Sequence, residues 1–342
     1  MISTLHSYNK PLVIPKGEGV MYKKLTRLGF VAALFSLSFN LFAETYPSKI
    51  VKLVVPYPPG GVVDITGRLL AGELEKTLGG KVVVENKPGA GGTIGAALVA
   101  KADPDGYTVL LSGAATHAFA PSVYKNLPYD PLNDFVQVTQ VVQGPLALCV
   151  NSSSPIASLS DFIKTMKSKG PDTSYSSNGN GTYPHLSVEF MKQVLGLDLV
   201  HVAYKGGGQA VTALLGGEVQ VSQNHIPIVL PHVKSNRLRV LATTGDARSK
   251  TFPDVPTLKE AGINVVASAW FGLFLPKGTP DAIRDKLYSA TAKAAESSLL
   301  KEKLLLQGDE IVVEGPAKFR AFQIAELAKW KKVIAASGLE AK

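Results

Sequence analysis

From Lys49 onward, β-branched runs and helical apolar spacing take turns along the chain, and this alternation limits the fold more than any other feature. "KIVKLVVP" (49–56) reads as a buried strand, and residues 62–78 place Ile65, Leu69, Leu70, Leu74 and Leu78 at near-helical spacing. "KVVVEN" (81–86) is a second strand, "GGTIGAALVAKA" (91–102) a short helix, and "YTVLLSG" (107–113) a third strand. A β-α-β-α-β series of this kind builds a parallel, doubly wound sheet with helices on its faces.

The rhythm changes at 128–145. "PYDPLNDF" is a Pro/Asp-rich loop, and "VQVTQVVQGP" reads as a strand leaving the first set. A second set begins near Leu146. Its strands are "LALCVN", "TSYSSN", "LVHVAY", "VQVSQN" and "LRVLATTG". Its helices cover 158–169, a stretch with Leu186, Phe190 and Val194 on one face, and 208–216. "VVASAWFGLFLP" (265–276) is long and apolar enough to cross back, and helices over 280–297 and 316–336 close the chain. The expected fold is α/β, with two doubly wound sheets joined by two crossing strands. Residues 44–144 plus 265–342 form domain 1, and 145–264 form domain 2. Two crossings make a hinge with a cleft between the domains.

Residues 1–43 stand apart from this pattern. From Met21 there is a short basic region (Lys23, Lys24, Arg27), an apolar stretch from Leu28 to Phe42, and Ala43 before a polar break. That is the layout of a secretory signal peptide over 21–43, and its apolar part is shorter than a membrane span needs. Residues 1–20 precede it as an extension, with Met21 as the expected start. Without 1–43 the chain keeps 31 basic and 26 acidic residues, a net charge of +5 rather than +9. A mild excess suits capture of anions. No basic run longer than two residues and no stacking motif point to nucleic acid. The single cysteine, Cys149, lies in an apolar run and reads as a small buried hydrophobe. Export without disulfides points to the periplasm.

Three glycine-rich turns stand where a strand gives way to a helix: Gly60 and Gly61, Gly179 and Gly181, and Gly206 to Gly208. Free N–H groups at a helix start attract anions, and glycine lets a ligand reach the backbone. A purely conformational use of each glycine is the plainer reading, but three such turns at equivalent junctions weigh against it. None is a phosphate loop: GxxxxGK[ST] and GxGxxG are both absent. Metal and nucleophile patterns are absent too, with no HExxH and no GxSxG. His117 and His185 adjoin small-residue loops, and the plainer reading of each is a hydrogen-bonded structural histidine. Asp64 is either a brace of its helix turn or a cleft residue. Trp270 reads as core before cleft wall.

Taken together, "VPYPPGGVVDITGRLLAGEL", "VENKPGAGGTIGAALVAKADPDGYT", "ATHAFAPSVYKNLPYDPLNDF", "YKGGGQAVTALLGGEV", "RSKTFPDVPTLKEAG" and "AWFGLFLPKGTP" resemble the tripartite tricarboxylate transporter substrate-binding family, also called the Bug proteins. The match runs along almost the whole chain after residue 43. It implies a two-lobed periplasmic binding protein of the type II-like Venus flytrap kind. Such a protein captures a small carboxylate and delivers it to a permease of one large and one small membrane subunit. It implies no enzyme, no cofactor, no metal and a monomer.

Carried over by motif, the first turn contributes Tyr57, Gly60, Gly61, Val62, Val63 and Asp64, with the N–H groups of Gly60 to Val63 on the carboxylate. Thr116 and His117 line the cleft from domain 1. Asn178, Gly179, Asn180, Gly181 and Thr182 clamp from domain 2, with His185, Tyr204, Gly206, Gly207 and Asn224 near them. The family often has "FDN" where this chain has Ser222, Gln223 and Asn224. Loss of an acid there leads to the expectation that carboxylates without an amine bind better than α-amino acids. A ligand sensor for a membrane kinase fits the same residues. An enzyme using His117 or His185 as a base is the remaining alternative.

Overall fold

The structure is a computed structural model that describes residues 46–339 together with Pro11. The chain divides after Thr45, and the unit that follows is Tyr46–Lys342. The expected leader over 21–43 and, Pro11 apart, the extension over 1–20 lie outside the described residues.

The first half of the sheet forms as the alternation requires. Strand β1 (Val51–Val55) pairs in parallel with β2 (Val82–Asn86) on one side and β3 (Thr108–Gly113) on the other. Helix α1 (Val62–Leu78) connects β1 to β2, and α2 (Thr93–Ala100) connects β2 to β3. Gly61 caps α1 in an extended conformation, and Gly79 ends it in the left-handed region at φ 72°. Asp64 in its first turn and Lys76 in its last complement the helix dipole. Leu70, Leu74 and Leu78 are buried beneath it, whereas Ile65 faces solvent at 41% exposure.

After β3 the chain makes a π-helical turn, Ala115–Phe119, and a short helix α3, Ala120–Val123. Strand β4 (Phe135–Asn151) then runs for 17 residues through both lobes. The sequence pattern divides this stretch at Gly144-Pro145, but the structure keeps it continuous. The reason lies in the change of partner. Up to Pro145 the strand pairs with β9 (Ser268–Pro276), and from Leu146 it pairs with β7 (Val221–His225). A proline, which cannot donate to a ladder, is tolerated where one partner is exchanged for another. The strands leaving and re-entering the first lobe run antiparallel, so the sheet is mixed.

In the second lobe, β4 is flanked by β8 (Leu238–Thr243) and by β7. Beyond β7 come β5 (Ser174–Ser177) and β6 (Val200–Ala203). Helices α4 (Leu159–Lys169), α5 (Tyr183–Leu195), α6 (Gly207–Gly216) and α7 (Ile226–Lys234) cover it. Helix α7 is not evident in the sequence because Pro227 and Pro231 interrupt its pattern. The return is pinned by Thr244, whose hydroxyl donates to the Ala267 carbonyl (2.6 Å) and accepts from the Leu146 N–H (2.9 Å). After β9 come α8 (Asp281–Ala294), α9 (Ser298–Leu306), the two-residue β10 (Glu310–Ile311) and α10 (Pro316–Ala336).

Each face of each half-sheet carries its own apolar cluster. Helices α1, α8 and α9 cover one face of the first half, and α2 and α10 cover the other. In the second half α4 and α5 cover one face, α6 and α7 the other. Cys149 is fully buried in the last cluster, and burial pushes its thiol up to about 12, consistent with an inert packing role. Among the described residues, no helix is long and apolar enough to cross a membrane.

Candidate functional site

The turn ahead of α1 is built around Asp64. Its Oδ2 accepts from the Gly60 N–H (2.9 Å) and from Arg68 Nε (3.0 Å), and its Oδ1 accepts from Asn86 Nδ2 (2.9 Å). Asn86 also donates to the Tyr57 carbonyl (3.0 Å), which fixes the other end of the turn. Burial alone would raise the Asp64 carboxyl, but Arg68, Gly60 and Asn86 outweigh it and hold it below the ordinary carboxylate range. Asp64 is therefore a brace. The Gly60 N–H is already taken, which corrects the sequence expectation that it serves the ligand.

The N–H groups of Val62, Val63 and Asp64 have no intrahelical partner by helix geometry, and no side chain caps Gly61. A Cβ on Gly61 would meet only the Pro58 carbonyl, at an ordinary 3.6 Å. The sign of the Asp64 shift gives a pH prediction. A lowered folded pKa stabilises above the unfolded value and is lost as pH falls through the folded one. Asp64→Asn should therefore melt below the wild type at neutral pH, and the gap should close in strong acid. Melting curves of both proteins across that range check it, and a gap independent of pH would contradict it.

A cavity of about 190 Å³ opens beside this turn, walled by both lobes. The first lobe contributes Tyr57, Val62, Val63, Ala114, Ala115 and Phe119. Ala269, Trp270 and Phe271 come from β9, and Tyr183 and His225 come from the second lobe. Tyr183 and His225 were not singled out in the sequence. Each follows directly on a candidate residue, Thr182 or Asn224, which was the only available signal. Trp270 is both core, at 1% exposure, and cavity wall. Burial lowers the His225 imidazole to about 4, so it is neutral at neutral pH.

Other candidates sit elsewhere. Thr116 and His117 are fully buried in the first lobe and do not reach the cavity, a correction to their expected place. The π-helical turn leaves Ala114 and Ala115 on the wall and turns the next two side chains inward. The Thr116 hydroxyl lies 2.6 Å from Ser112 Oγ and 2.7 Å from His117 Nδ1. The His117 ring stacks on Phe274 at 3.8 Å, and burial lowers its pKa to about 3.

The loop Asn178 to Thr182 has fewer free donors than expected. The Gly179 N–H donates to Ser177 Oγ (3.1 Å), the Gly181 N–H to His185 Nδ1 (3.0 Å), and the Thr182 N–H to the Gly179 carbonyl (3.3 Å). Asn180 is exposed, and Asn178 Oδ1 is buried with no partner. His185 supports the loop from beneath. It is buried and stacked on His201 at 3.7 Å, and burial with that neighbour lowers it to about 4. Tyr204 turns its hydroxyl to Glu218 (3.0 Å).

Gly206 precedes α6 at φ 132°. Gly207 packs against Asn224, whose Nδ2 reaches the Gly207 carbonyl at 3.4 Å, so Asn224 buttresses the turn. Gln223 faces the α5 side, with Nε2 on Met191 Sδ at 3.8 Å, and not the cavity. The expected discrimination against amines cannot arise there. No Asp or Glu lines the cavity, so an ammonium group still lacks an acidic partner.

A second hollow, of about 240 Å³, lies near Asn151, Lys169, Thr173 and Gln220. It is at the starting ends of β5 and β7, opposite the glycine turns. Ligands of open α/β sheets bind beyond the carboxyl ends of strands. Among the described residues no group of three or more His, Cys, Asp or Glu could hold a metal ion.

Comparison with known proteins agrees with this architecture. The sequence profile of the family described as Tripartite tricarboxylate transporter family receptor matches residues 66–339. Protein BugT of Bordetella pertussis is 36% identical over 324 residues, 94% of this chain and 99% of that protein. A solved R. palustris protein with adipate is 32% identical at a TM-score of 0.75, covering 86% of this chain and 98% of its own. MatC from Rhodopseudomonas palustris with bound malate is 31% identical at a TM-score of 0.71, covering 84% and 100%.

Proposed function

The chain belongs to the tripartite tricarboxylate transporter receptor family of periplasmic solute-binding proteins, and from that premise we propose that it captures a small carboxylate in the cavity between its lobes and hands it to the two membrane subunits of a permease. The observation that carries this reading is the start of α1. It is an uncapped helix N-terminus whose Val62 and Val63 border a cavity free of acidic side chains. Helix-end N–H groups and the dipole behind them favour an anion. Adipate and malate in two relatives of the same fold support a carboxylate. The proposed lobes are 44–144 plus 265–342 and 145–264, of which residues 46–339 are described.

A binding role rather than catalysis is favoured because neither candidate base is placed to act. His117 and His185 are both buried, neutral and engaged within their own lobes. A thermal-shift screen of small carboxylates tests the reading. A ligand at 100 times its dissociation constant should stabilise the protein by ~2.7 kcal/mol. No shift with any carboxylate, or conversion of one seen by NMR, would count against it. The exported protein should begin near Glu44, and N-terminal sequencing that finds Met1 would refute the leader.

A further inference from the structure

The cavity walls constrain the body of the ligand as the helix start constrains its charged end. Phe119, Tyr183, Trp270, Phe271, Val62 and Val63 are among the residues that line it. Two of the walls that carry polar handles turn them away. The Tyr183 hydroxyl donates to the Ser268 carbonyl (2.5 Å), and Trp270 Nε1 donates to Glu326 Oε2 (2.9 Å). No Ser, Thr, Asn, Gln, Lys, Arg, Asp or Glu lines the space. The Tyr57 hydroxyl and the His225 ring make no hydrogen bond with another described residue and remain available to the ligand's single charged end.

These walls weigh against a hydroxylated or many-carboxylate ligand. A hydroxyl buried there without a partner loses its hydrogen bonds to water, and an unpaired carboxylate loses far more. A hydrocarbon body suffers no such loss, and it gains from leaving water. The volume, about 190 Å³, is enough for one small ring.

We propose that the ligand is a carboxylate on an apolar, ring-sized body, with benzoate as the simplest case, and that the apolar walls select it over hydroxylated di- and tricarboxylates. This rests on the carboxylate reading of the cavity given above. Calorimetric titration of benzoate, malate and citrate into the wild type and into Val62→Thr and Gly61→Val tests it. Val62→Thr keeps side-chain shape while adding a hydroxyl to the wall.

Benzoate should bind the wild type at least tenfold more tightly than malate or citrate. Val62→Thr should reduce that ratio, and Gly61→Val should remove binding of all three. Malate or citrate binding more tightly than benzoate, with Gly61→Val still blocking both, would overturn the apolar-body inference and leave the carboxylate reading standing. A ratio unchanged in Val62→Thr would also overturn the inference. Binding by none of the three, or binding unaffected in Gly61→Val, would overturn the carboxylate reading and the inference with it.

Discussion

Gly61→Val is expected to abolish carboxylate binding in a protein that still folds. Gly61 has φ −77° and ψ 166°, which any residue adopts, and a Cβ there meets nothing closer than 3.6 Å. The branched side chain therefore costs the fold little. It is expected to crowd the N–H groups of Val62 and Val63, where the ligand carboxylate is proposed to sit. Hydrogen bonds to a charged group contribute ~1.5–3 kcal/mol each, so losing two weakens binding by at least ~100-fold. Circular dichroism and calorimetry together check it. An affinity within a few-fold of the wild type in a folded variant would place the carboxylate elsewhere. Gly60, at φ 82°, is a poorer choice, because any side chain there is strained.

Trp330→Ala should produce the largest loss of stability. Trp330 is fully buried on α10, and its Nε1 shares Glu326 Oε2 with Trp270, each at 2.9 Å. Its ring packs edge-on to Phe119 (4.9 Å) in the first lobe and to Tyr183 (5.2 Å) and Phe190 (6.1 Å) on α5 of the second. Removing it opens a cavity between the lobes, at a cost of ~3–5 kcal/mol for a buried tryptophan. At ~2–4 °C per kcal/mol the melting temperature falls by roughly 6–20 °C. Because Tyr183 loses a support, ligand affinity should fall as well. Phe322, also on α10 but only partly buried, serves as a comparison. A drop for Trp330→Ala no larger than for Phe322→Ala would contradict this account of how the lobes are held.

The alternation of periods made the fold legible, and α1 spans the expected residues 62–78 because Gly61 and Gly79 bound it on both sides. Local pattern failed where tertiary partners decide. Gly144-Pro145 looks like a break, yet β4 continues through it because the strand changes partners there. Helix α7 was hidden by its prolines. At the site, motif resemblance named turns but not the direction of each side chain. His117 and Ala115 lie two residues apart, and only the π-helical turn decides which of them reaches the cavity. Gln223 and His225 likewise lie two apart on β7, with Gln223 against Met191 and His225 on the cavity wall. Backbone donors were equally hard to read. Glycine turns advertise free N–H groups, but Asp64, Ser177 and His185 take up those of Gly60, Gly179 and Gly181.

Amide NMR shifts recorded while a small carboxylate such as benzoate is titrated into the purified protein test the central claim most directly. The account predicts that the N–H signals of Val62 and Val63 move in step with saturation, together with those of residues at the cavity wall in both lobes. Shifts confined to the hollow near Asn151, Lys169 and Gln220, with Val62 and Val63 unmoved at saturation, would contradict it.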